Sequence, residues 1–275
     1  MIDALTNRRV TFLLPLLMLI ISSCTSTSTS LTLSSAAIAI EHVTIIDAKN
    51  GQREDMTVVI DGDKILHVSP GREAPQTSKT IDGTGKFLIP GLWDMHVHLT
   101  YDDRFTDLMP ATFLAYGITS VRDTGGLLHK IVPVVEEMRK PGVVAPRVFF
   151  SGPLLDGEHV VYDGNSRPEI GVRNEDVERA RQNVRTLKAR GADFIKIYEL
   201  VSPAVFAALV EEANLQGMPI ASHVPLSMTA STAGPRVDSM EHLRNVELDC
   251  ANNHRELHST RVKTLRDYVD RKSVV

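Results

Sequence analysis

Leu88-Ile89-Pro90-Gly91-Leu92-Trp93-Asp94-Met95-His96-Val97-His98 is an apolar, β-favouring run that ends in two histidines separated by one residue. Side chains alternate along a strand, so His96 and His98 share a face, and both can offer an imidazole nitrogen to one metal ion. Two more histidines stand at the ends of short apolar runs further along. Ser222-His223 follows Met218-Pro219-Ile220-Ala221, and Glu241-His242 follows Val237-Asp238-Ser239-Met240. Between the two groups lies Ala192-Asp193-Phe194-Ile195-Lys196-Ile197-Tyr198, a lysine embedded in another β-favouring run. Taken singly, each histidine reads as a strand-end residue satisfied by the backbone. Lys196 alone reads as a strand-end lysine reaching solvent or pairing with Asp193. Placed at successive strand ends, the five read as the donors of one metal site.

The surrounding pattern supports strand ends. Strands are predicted near Leu92 to His98, Ile118 to Arg122, Arg147 to Ser151, Phe194 to Ile197, Pro219 to His223 and Ser239 to His242. Helices are predicted over Leu127 to Lys140, Glu175 to Lys188 and Pro203 to Gln216. Strand then helix, repeated, predicts an α/β unit with a parallel sheet and right-handed crossovers. Residues 37–88 differ: short β-like runs are separated by Asn50-Gly51, Asp61-Gly62 and Asp82-Gly83, which predicts a small β domain before the α/β part at 89–275.

These phrases, together with Gly117-Ile118-Thr119-Ser120-Val121-Arg122-Asp123, resemble the metal-dependent amidohydrolase superfamily, in its imidazolonepropionase-like and Xaa-Pro dipeptidase (prolidase-like) branch. The similarity runs from roughly Ile38 to the C-terminus. It implies a (β/α)₈ TIM-type barrel beside a small N-terminal β-sandwich domain. It also implies two zinc ions: His96 and His98 on the more buried one, His223 and His242 on the more exposed one, with carboxylated Lys196 bridging them. The lysine bridges only as a carbamate, because an ammonium group has no lone pair to give. The implied reaction is hydrolysis of an amide bond, in a dipeptide or in a cyclic amide, by attack of a metal-activated hydroxide. Tyr198, two residues beyond Lys196, together with Arg122 and His159, are the candidate substrate contacts.

Six barrel strands are countable, and 89–275 is short against the ~250 residues of a full barrel. The strand-eight aspartate that serves the superfamily as metal ligand and general base has no counterpart here. Asp94 and Asp123 do not stand where they would replace it. An incomplete barrel is therefore expected, and with it two open edges that a second copy or a complementing C-terminal segment would cover. A truncated, non-catalytic fragment is the rival expectation to an enzyme.

The 275 residues carry a formal net charge of −4 and are 43% hydrophobic, ordinary for a globular protein with a substantial core. Their scattered basic residues argue against nucleic acid as a partner. At the N-terminus, Arg8-Arg9 precede the apolar run from Val10 to Ile21, which predicts an export signal over 1–23. Ile21-Ser22-Ser23-Cys24 resembles a bacterial lipobox, so Cys24 is the expected lipidation site, anchoring the chain to a membrane on its extracytoplasmic side. The Thr/Ser-rich stretch within 24–36 suits a flexible tether. With Cys24 lipidated, Cys250 stands alone and no internal disulfide is expected.

Overall fold

The computed structural model describes residues 32–71, 75–165, 167–253, 255–261 and 263–264. The expected signal segment, Cys24, most of the tether, His254 and the last part of the C-terminal helical stretch lie outside them. The chain divides into two compact units, with the boundary between Ile89 and Pro90.

The first unit is a five-stranded sheet of β1 (Ile38–Asp47), β2 (Gly51–Asp61), β3 (Lys64–Pro70), β4 (Lys79–Asp82) and β5 (Phe87–Leu88). The antiparallel pairs β1–β2 and β2–β3 turn at Asn50-Gly51 and Gly62, as the turn residues predict; β4 and β5 run parallel to β1. Val43, Ile45, Met56 and Val58 form its small core. The described residues of this unit hold a single sheet.

In the second unit β6 (Leu92–Val97), β7 (Ile118–Asp123) and β8 (Arg147–Phe150) form one parallel sheet. A second sheet has the order β10 (Gly171–Val172), β9 (Leu154–Leu155), β11 (Ile195–Ile197), β12 (Ile220–Ser222), β13 (Ser239–Met240), every pair parallel. Segment 147–155 belongs to both. The N–H of Ser151 donates to Asp123 O, and the N–H of Asp193 donates to Phe150 O. The chain then breaks at Gly152, whose φ of +75° suits glycine, and resumes as β9 against β11. Among the described residues the barrel strands are thus the six that the sequence predicts, in order, with the third interrupted. The β9–β10 pair and the short helix α1 (Met109–Ala115) are additions to it.

Helices α2 (Leu128–Met138), α3 (Val177–Ala189) and α4 (Pro203–Leu215) follow β7, β10 and β11. Two of them bury one stripe at helical spacing, Ile131, Val135 and Met138 from α2 and Ala180, Val184 and Leu187 from α3, whereas α4 is buried on most sides. These stripes join Val121, Val148, Ile195, Ile197 and Ile220 of the strands in one core cluster. Asp176 caps α3 by accepting from the N–H of Arg179, and Ser202, ahead of Pro203, caps α4 by accepting from Val205. Because Ile195 and Ile197 face the helices, strand alternation turns Lys196 to the other side of the sheet.

Candidate metal centre

Lys196 is fully buried, and its Nζ has no hydrogen-bond partner. Asp193, the partner a strand-end lysine would take, is instead 2.9 Å from Arg139. Burial pushes the Lys196 amine down to about 7 from its ordinary 10.5, opposed in part by the nearby carboxylate of Glu241. An amine in that range is available in its neutral, nucleophilic form.

Four imidazoles gather in the same region. The ring of His96 lies 5.2 Å from that of His98 and 4.2 Å from that of His242, and the His223 ring is 5.0 Å from His242. Three of the four have their Nδ1 committed. His98 donates to the carbonyl of Gly125 at 3.0 Å, His96 meets Glu241 at 2.6 Å, and His223 meets Glu199 at 3.0 Å. A carbonyl or an ionised carboxylate accepts only, so each Nδ1 carries a proton, and in the neutral ring Nε2 then keeps its lone pair for a metal. Burial is the largest influence on His98 and His223, lowering both to about 4, and the charge of Lys196 adds to it. Neutral imidazole is the ligating form.

Gly125 is required where it stands, because a Cβ there would come 2.9 Å from Cε1 of His98 and 3.0 Å from Nδ1. Asp123 ends β7 rather than lying in the following loop. It accepts from the N–H groups of Leu99 and Gly125, fastening the chain on both sides of the His98–Gly125 contact.

His242 arrives differently. Ser239 and Glu241, two residues apart, hydrogen-bond to each other and share the inner face, so simple alternation would send His242 outward with Met240. A φ of +64° at His242, followed by +48° at Leu243, turns the ring back towards His96 and His223. Left-handed backbone at non-glycine residues costs on the order of 1–3 kcal/mol and gathers at functional sites.

Sequence reasoning passed over two carboxylates that shape this centre. Glu241, only 6% exposed, accepts from Ser239 Oγ at 2.6 Å and from Arg122 at 2.5 Å besides meeting His96, and lies 4.0 Å from Lys196 Nζ. Burial opposes its ionisation, but the His96 bond, the Lys196 charge and the Ser239 and Arg122 contacts outweigh it and hold its carboxyl far below the usual range. Glu199, 1% exposed, accepts from His223 and from Arg244, both at 3.0 Å. The available signal was adjacency, since Glu241 precedes one strand-end donor and Glu199 lies three beyond another.

The candidate substrate residues fare unequally. The Tyr198 ring packs 4.5 Å from that of His223, and burial pushes its hydroxyl strongly upward, so it stays a neutral donor. From it, Tyr162 and Tyr101 continue a row of ring contacts back to His98. Arg122 is spent within the protein, on Met95 O, Ser239 and Glu241. His159 is exposed in the loop after β9.

Among the described residues no three His, Cys, Asp or Glu side chains already stand as a closed metal cage. The donor set nonetheless fits divalent metal: four imidazoles, three with Nδ1 engaged and Nε2 turned to the site, gather near a buried amine that makes no hydrogen bond. The missing anionic bridge is what a carbamate on that amine would provide.

Comparisons with known proteins point the same way. Over 51 residues the chain is 39% identical to an imidazolonepropionase of Streptomyces griseus, and over 55 residues 36% identical to a dihydroorotase of Trichlorobacter lovleyi. Each match covers 18–20% of this chain and 13% of the relative. A solved structure assigned as a prolidase from Bifidobacterium longum superposes with a TM-score of 0.62 at 26% identity, over 75% of this chain and 54% of that one. A Xaa-Pro dipeptidase with methionine bound in its active site gives 0.63 at 22%, over 75% and 61%, a likeness of fold. The chain thus spans little more than half the length of these structures. The model of the amidohydrolase family, whose members generally use divalent metals, matches residues 87–249, from β5 to beyond His242, and on that match this chain belongs to the amidohydrolase family.

Proposed function

We propose that this chain carries the metal centre of a hydrolase of carbon–nitrogen bonds, prolidase-like in substrate, with two zinc ions held by His96, His98, His223, His242 and carboxylated Lys196. The observation that carries the reading is the buried Nζ of Lys196, which makes no hydrogen bond, among imidazoles of which His96, His98 and His223 are tied through Nδ1. Bound metal supplies an activated water and polarises the carbonyl under attack. The chain's own residues position the groups around it. Glu241, Glu199 and Gly125 aim the imidazoles, Tyr198 stands beside His223 as a neutral hydroxyl donor for a substrate oxygen, and the Tyr101–Tyr162–Tyr198 row offers an apolar wall for a proline ring.

The test is hydrolysis of Xaa-Pro dipeptides by the 275-residue chain supplied with zinc and bicarbonate. Turnover that vanishes in Lys196→Ala and His223→Ala supports the reading, and turnover unchanged in both sinks it. Hydrolysis of cyclic amides is the second reading, favoured by the short matches to imidazolonepropionase and dihydroorotase. A chain that cleaves a lactam and leaves dipeptides intact would establish it.

Export and lipid anchoring at Cys24 are part of the same proposal, supported by Arg8-Arg9, the apolar run to Ile21 and the residues up to Cys24. The mass of the mature N-terminal peptide checks it: a lipidated Cys24 agrees, and an intact Met1 contradicts it.

A further inference from the structure

Two of the four histidines are held in the same way. His96 meets Glu241, which is gripped by Arg122; His223 meets Glu199, which is gripped by Arg244. The two His–Glu–Arg triads stand on different strands, and in the proposed site they serve different metal positions. We propose that Glu241 and Glu199 are paired positioning residues, one per metal position, each fixing its histidine with the proton on Nδ1 and the lone pair on Nε2. This rests on the reading of the centre given above, but the geometry of each triad is visible without metal.

The two triads differ in how firmly they are built. Glu241 uses both oxygens, Oε2 for His96 and Oε1 for Ser239 and Arg122. Arg122 also donates from Nε to the carbonyl of Met95 at 2.7 Å, so one guanidinium holds both the backbone before His96 and the carboxylate behind its ring. That side chain is 15% exposed, whereas Arg244 is 53% exposed and reaches Glu199 through Nη1 at 3.0 Å. Solvent weakens an exposed ion pair. The His96 arm is therefore rigid and the His223 arm adjustable, which suits a position that must admit and release substrate oxygen atoms.

A glutamine cannot replace Glu241 in full, because one oxygen serves His96 and the other serves Ser239 and Arg122, and the NH₂ would face one of these donors. At Glu199 both His223 and Arg244 meet Oε1, which a glutamine oxygen reproduces, so that arm is probed by removing the carboxylate altogether. In the metal-free full chain, ¹⁵N shifts of the imidazoles are expected to show the Nδ1–H form at His96 and His223. Glu241→Gln should disturb His96 alone and weaken one of two zinc-binding steps about 10- to 100-fold. Glu199→Ala should disturb His223 alone and weaken the other step. Arg244→Ala should have a smaller effect than Arg122→Lys. If Glu241→Gln does not fold, Arg122→Lys reports on the same arm. Imidazole shifts unchanged in Glu241→Gln and in Glu199→Ala would overturn the inference whatever metal is bound. Wild-type chain that shows the expected shifts but takes up no zinc would keep the triads and sink the metal reading instead.

Discussion

Asp156 and Lys196 are both fully buried ionisable groups of the second unit, and their surroundings are opposite. Asp156 accepts from the backbone N–H groups of Gly157, Val161 and Leu200 at 2.7–3.1 Å, which stitches the loop after β9 to the end of β11. Lys196, on β11 itself, reaches no acceptor within hydrogen-bond distance. A buried polar group that is satisfied pays for itself as architecture, whereas an unsatisfied one costs stability and persists where chemistry needs it. The contrast separates the part of the barrel that holds its loops from the part proposed to bind metal.

The sharpest way to break the contrast is to remove Lys196. Lys196→Met should abolish metal-dependent hydrolysis while raising the stability of the metal-free chain by about 1–3 kcal/mol in denaturant titration, since an unpaired buried polar group disappears. Loss of stability in that variant would show that the amine has a partner in solution. Gly125→Ala should come next. The added Cβ collides with the His98 ring, and zinc affinity should fall about 10- to 100-fold by equilibrium dialysis with little change in fold. Asp156→Ala should do the converse, costing about 1–3 kcal/mol by leaving backbone donors unpaired, with metal stoichiometry unchanged in the folded fraction.

The smallest effect is a slope. Burial raises Asp156 from 3.8 to about 7, against the pull of its three N–H donors, with Glu199 adding to the rise. Between about pH 4 and 7 the folded state therefore holds a proton that the unfolded state has released. Its contribution favours folding at the acid end and is lost as pH rises through about 7, at no more than about 1.4 kcal/mol per pH unit. Asp156→Asn should flatten that part of the stability–pH curve.

Much of the barrel was legible in the sequence because its signals are local. The runs at Ile118, Arg147, Phe194 and Pro219 have the length and composition of buried strands, and the stripes of α2 and α3 repeat at helical spacing. Two-residue strands such as Leu154–Leu155 and Gly171–Val172 carry too few residues for any period. The donors were legible as residue types at strand ends, but their aim was not. His242 depends on a left-handed backbone that its side chain does not announce, and His96 is oriented by Glu241, 145 residues away. Arg122 read as a substrate contact because a strand-end arginine looks free until Glu241 and Met95 are brought beside it. In the first unit the alternation showed the strands well, while the parallel pairing of β4 and β5 with β1 depends on contacts that no single segment encodes.

Metal content per folded chain, measured by elemental analysis after incubation with zinc and bicarbonate, tests the central claim most directly. Two ions per wild-type chain, lost in Lys196→Ala, is the predicted result. Folded wild-type protein without metal, or equal metal in both proteins, would contradict it.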